Sequence, residues 1–146
     1  MGSITKVLRL TIPGDPMGKP RMTRKDKWAK RDCVVRYRAW ADAARLVLKS
    51  RGGIPDGAVI REVSWVAYFQ VTPSWSKKKQ AEMLGQPHRH TPDRDNIDKA
   101  LLDAIFKGGD QHVTSGRIHK EWAEAGKLYV EITYDVPGDN LSPEGQ

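Results

Sequence analysis

The sequence predicts one α+β domain, a mixed sheet of about four or five strands with two main helices. Three observations carry that expectation. Val63, Trp65, Ala67, Phe69 and Val71 occupy every second position, as do Leu128, Val130, Ile132 and Tyr134, which is the period of a strand with one buried face. Tyr37, Trp40, Ala41, Ala44, Val47 and Leu48, and later Ile97, Leu101, Ala104 and Ile105, recur instead at helical spacing. A length of 146 residues suits a single core, so residues 1–146 are taken as one compact domain.

In chain order, Lys6 to Ile12 reads as a strand carrying Val7, Leu8, Leu10 and Ile12, and Pro13-Gly-Asp-Pro16 ends it. Residues 14–31 form a basic segment with almost no apolar mass, which predicts a mobile arm. Its Lys19, Arg21, Arg24 and Lys25 suit a phosphate backbone, and Trp28 suits packing or stacking on a base. The alternative is a solvated linker. Asp32 is placed to cap a helix from Cys33 to about Ser50, which Gly52-Gly53 terminates. A long central strand follows from Val59 to Val71. After the turn at Thr72-Pro73, Ser74 or Ser76 caps a short helix through Leu84.

Lys77, Lys78 and Lys79 fall in that helix's first turn, where they oppose its dipole. Phosphate binding by Lys77 and Lys78 would explain the placement, and an exposed solvated face would do so equally. His88-Arg-His-Thr91 is expected to enter the next element as a strand. His88 and His90 then face away from Arg89 and Thr91, towards packing, DNA or a metal. Ile118 to Ala123 and Lys127 to Tyr134 read as two strands, with Glu124-Ala-Gly126 joining them as a hairpin. Residues 136–146 are expected to be a frayed polar tail.

The totals narrow the function classes. A formal net charge of +7 favours a polyanionic partner. No apolar run is long enough to cross a bilayer, and Met1-Gly-Ser-Ile-Thr lacks the apolar core of a signal peptide. A single Cys excludes an internal disulfide and fits a reducing cytoplasm.

The chemistry is concentrated in Thr91-Pro-Asp-Arg-Asp-Asn-Ile-Asp-Lys99. Pro92 biases the preceding residue towards extended backbone, so Asp93 and Asp95 are expected to project to one side of an extended approach. The helix is expected to begin at about Asn96, capped by Asp95 or Asn96, with Lys99 four residues beyond Asp95 on the same face. Two ionised carboxylates on one side need a cation, and all-oxygen donors suit Mg²⁺. The plainer reading is a polar loop whose acids cap a helix and offset its dipole. Asp98 fits such dipole compensation, and Asp103 stands four residues after Lys99, where the two can pair.

Pro92-Asp93-x-Asp95-Asn96-Ile97-x-Lys99-Ala100, followed by Leu102-Asp103-Ala104, resembles the signature of the RusA-like Holliday-junction resolvases, phage-borne members included. The resemblance extends to Asp110-Gln-His-Val113, the N-terminal strand, Gly18-Lys-Pro-Arg21 and the final hairpin. It implies Mg²⁺ held by Asp93, Asp95 and Asp110, with Lys99 as the catalytic lysine. It further implies a homodimer acting on four-way DNA junctions in the cytoplasm of a bacterium or a phage-infected cell. One departure stands out: Gly109 precedes Asp110 where the family often carries a second acid. The apolar face of the first helix and an exposed sheet edge are the candidate dimer surfaces. A non-catalytic DNA-binding module and a nuclease for flaps or other branched DNA are the competing functions.

Overall fold

A computed structural model of the chain describes residues 2–21, 31–106 and 113–138. The order of elements is β1 (Ser3–Pro13), α1 (Asp32–Ser50), β2 (Val59–Gln70), α2 (Lys77–Met83), α3 (Arg94–Ile105), β3 (Ile118–Ala123) and β4 (Lys127–Pro137). They form an α+β domain whose four strands make one mixed sheet in the order β1-β4-β2-β3.

The strand periods expected from the sequence are realised side chain by side chain. Val63, Trp65, Ala67 and Phe69 of β2, with Val71 just beyond it, are buried. So are Leu128, Val130, Ile132 and Tyr134 of β4. In β1 the buried positions are Leu10 and Ile12, while Val7 lies 43% exposed on the opposite face. β4 runs on to Pro137, past the expected end at Tyr134, because its register with β1 continues through Ser3↔Pro137.

The expected β3–β4 hairpin does not form. β3 pairs with β2 in parallel, whereas β4 pairs antiparallel with both β1 and β2, so β2 separates the two strands. A short Gly-containing linker between alternating strands is a local hairpin signal. Burial of β2 decides otherwise, since a central strand has two hydrogen-bonding edges to satisfy. The linker must cross two strand spacings, about 10 Å, which three residues can span. Gly126 makes the crossing close: its carbonyl accepts from Gly14 N at 3.1 Å. A Cβ there would stand 2.7 Å from Asp15 N.

α1 starts one residue earlier than expected. Arg31 occupies the N-cap position, and Asp32 sits inside the first turn, where it pairs with Arg36 at 3.0 Å. At the other end Gly52 and Gly53 have φ values of 101° and 69°, and Gly53 N returns to Leu48 O at 3.0 Å. That is the left-handed stop glycine permits. Tyr37, Trp40, Ala41 and Ala44 pack into the same core as Ile97, Ala100, Leu101 and Ala104 of α3. The apolar face of α1 is therefore packed within one chain. No helix among the described residues is long and apolar enough to cross a membrane.

Candidate active site

α3 is the element that positions the acids. Its Ile97, Ala100 and Leu101 are fully buried, and burying an Ile or Leu side chain contributes about 1.5–3 kcal/mol. Three polar ties fix the helix along its length. Trp65 Nε1 donates to Asp98 Oδ1 at 2.8 Å, Tyr37 Oη donates to Ala100 O at 3.0 Å, and Arg45 donates to Ala104 O at 3.0 Å. Burial, with Asp103 adding to it, raises the Tyr37 pKa, so the phenol remains a donor.

The helix begins earlier than the sequence suggested. Asp93 is the N-cap residue, with extended backbone (φ −68°, ψ 149°), and Asp95 lies in the first turn. The Asp93 carbonyl already accepts from Asn96 N at 3.1 Å and Ile97 N at 3.0 Å. Asp93 and Asp95 are therefore not alternate residues of a strand. The structure nevertheless brings them together: both are exposed, and both line one open cavity of about 800 Å³ with Arg89, Arg94 and Lys120. The Asp93 side chain makes no capping hydrogen bond. Among the described residues neither carboxylate is taken up in an ion pair.

Lys99 lies one turn further along the helix from Asp95. With Lys19, Pro20, Arg21 and Asn96 it lines a neighbouring recess of about 590 Å³. Its ammonium approaches Asp103 at 3.5 Å, and Lys19 pairs with the same carboxylate. Burial opposes ionisation of Asp103, but Lys19 and Lys99 outweigh it and hold the carboxyl below its usual pKa. The start of the basic segment is thus docked against α3. Lys19 N reaches Asn96 O at 3.4 Å, and a Cβ on Gly18 would stand 3.0 Å from Pro92 Cβ. Arg31 donates to Arg21 O.

Lys77 and Lys78 are exposed at the start of α2, whose N-cap Ser76 accepts from Lys79 N at 3.1 Å. Lys79 lies over the Trp75 ring at 4.4 Å. Asp110, Arg24, Lys25 and Trp28 lie outside the described residues.

The segment leading to Asp93 is not a strand. It carries one isolated bridge, Pro87↔Glu121, and is then seated by aromatic packing. His88 is buried, stacks on Phe69 at 3.8 Å and leans on Trp122 at 4.5 Å. Burial, assisted by Lys120 and His90, lowers its pKa to about 4, so it is a neutral packing ring near neutral pH. His90 is exposed and meets Trp122 edge-on at 5.8 Å.

Sequence reasoning missed Lys120. Its Nζ donates to His90 O and Pro92 O at 2.6 Å each. Burial lowers its pKa, and the nearby Asp93 opposes that shift. Only its odd placement as a lysine on the Ile118–Trp122 face of a strand marked it in the sequence.

These features describe a basic α+β domain that presents two exposed carboxylates at a helix start. The family model of endodeoxyribonuclease RusA matches residues 13–133. The chain therefore belongs to the RusA endodeoxyribonuclease family. Membership makes it a nuclease and implies action on Holliday junctions, and with it binding of branched DNA. No curated protein matches the chain.

Proposed function

We propose that the protein is a Mg²⁺-dependent endodeoxyribonuclease that resolves four-way DNA junctions by paired, symmetric phosphodiester hydrolysis during recombination and repair. The observation that carries this reading is the exposure of Asp93 and Asp95 together in one cavity at the start of α3. Their oxygens are hard donors of the kind Mg²⁺ takes, and it commonly uses one or two carboxylates with substrate phosphate and waters. No group of three His, Cys, Asp or Glu among the described residues is arranged to hold a metal. The third ligand in this reading is Asp110, outside those residues. Asp93, Asp95 and Asp110 would hold the ion, which would supply Lewis acidity at the scissile phosphate and an activated water.

The protein's own groups do the rest. Asp93 and Asp95 would hold the cation, and the N–H groups of the helix start favour a phosphate beside them. Arg89 and Arg94 line the cavity with positive charge, which attracts the backbone of the junction. Lys99 offsets negative charge developing in the transition state. Lys19, Arg21, Arg24, Lys25, Lys77 and Lys78 provide phosphate contacts, with Lys19 shared between DNA and Asp103. A two-fold homodimer matches two incisions to the two-fold symmetry of the junction.

The test is incubation with a four-way junction, with Mg²⁺ or with EDTA, resolved on a denaturing gel. Paired nicks are expected with Mg²⁺ alone. Asp95→Asn is expected to bind the junction as tightly as wild type while its cleavage rate falls by at least about 100-fold. Full cleavage by that variant would remove Asp95 from the site. Binding without cutting in wild type would leave a DNA-binding module.

A further inference from the structure

We propose that Lys120 is a positioning residue: from β3 it fixes the segment that delivers Asp93 by holding the two carbonyls, His90 O and Pro92 O, that precede it. The inference rests on the nuclease reading of the Asp93–Asp95 pair.

The backbone around the site shows why a side chain is needed there. Outside β2, the free edge of β3 is paired by the 85–88 segment. Gly85 N donates to Trp122 O at 2.9 Å, Trp122 N to Gln86 O at 2.9 Å and His88 N to Lys120 O at 3.1 Å. That zipper stops at His88. The next backbone bonds in the described chain are those of the helix start, Asn96 N and Ile97 N to Asp93 O. Between them the chain crosses from β3 to α3, and Lys120 bridges the gap with two bonds of 2.6 Å. Its own backbone is held opposite Ala67 in the parallel ladder with β2, so the ammonium is delivered from a rigid strand. Lys120 also lines the cavity that Asp93 and Asp95 share. A catalytic constellation needs such support, because a small displacement of a ligand costs much of the rate.

A part-buried lysine on β3 has one rival explanation, a general contribution to folding of the sheet. The two differ in what they predict. Lys120→Met keeps the aliphatic stem and removes both bonds. On the positioning account its kcat for junction cleavage falls by about 10–100-fold, while KM stays within about threefold. Hydrogen exchange at the Asn96 and Ile97 amides accelerates, and the amides of β1 and β4 remain protected. Lys120→Arg, which retains charge and donors, keeps kcat within about tenfold of wild type.

Wild-type kcat in Lys120→Met, or unchanged exchange at Asn96 and Ile97, would overturn the proposal. So would loss of protection across the whole sheet in both variants, which would make Lys120 a folding residue. If wild-type protein does not cut the junction, the nuclease reading fails. The exchange measurement then still decides whether Lys120 holds the segment.

Discussion

Replacing His88 by Phe should remove a pH dependence that this one ring builds into folding. The ring is 7% exposed, stacks on Phe69, and has no partner for Nδ1 among the described residues. Its pKa falls from 6.5 to about 4, chiefly through burial, with Lys120 and His90 adding to it. The unfolded chain takes up a proton near pH 6.5, and the folded chain declines it until about pH 4. Throughout that window the unfolded state binds more protons, so stability falls as pH drops. The contribution is whole above pH 6.5 and gone below pH 4. A difference of this size is worth about 3 kcal/mol in full. Screening from the open cavity beside the ring lowers the expected loss to about 2 kcal/mol.

The assay is urea unfolding of wild type and His88→Phe at pH 7, 5.5 and 4.5. Carboxylates weaken both proteins in acid alike, so the difference between the two curves isolates the imidazole. At pH 7 the variant should be at least as stable, since Phe preserves the stack and leaves no buried nitrogen unpaired. By pH 4.5 its advantage should have grown by about 2 kcal/mol. Parallel curves would refute the claim that packing holds His88 neutral.

Other outcomes follow from the same geometry. Ile97→Ala should cost about 2–5 kcal/mol in urea unfolding, because the side chain is fully buried beneath the turn that bears both acids. A loss below about 1 kcal/mol would mean that α3 is not anchored there. Replacing Arg21, Lys77 and Lys78 together by Ala should weaken junction binding and reduce the slope of log affinity against log salt by about 0.9 for each phosphate left without its cation. An unchanged slope in filter-binding titrations would take these residues off the DNA.

Much of the domain was legible because its signals are local. Alternation in β2 and β4 located their buried faces, since a strand turns successive side chains to opposite sides whatever its partners. The helical stripes of α1 and α3 were legible for the same reason, and Gly52-Gly53 marked a stop that only glycine readily makes. Asp93 and Asp95 stood out because two acids beside a helix start need an explanation in charge. Their backbone setting was misjudged by about two residues. Capping geometry depends on where the chain turns, and Asp93 O begins the turn before the apolar period does.

By itself, the sequence determined the identity and faces of the elements, the basic character and the acidic helix start, all of which rest on neighbouring residues. Tertiary structure alone decided that β2 separates β3 from β4, since strand pairing is a choice among distant edges made by burial. It decided that Lys19 and Lys99 share Asp103, and that His88 is a packing ring. It also set Lys120 beneath a segment nearly thirty residues earlier in the chain. A contact of that kind has no sequence period, because only the parallel pairing of β3 with β2 brings the ammonium to those carbonyls.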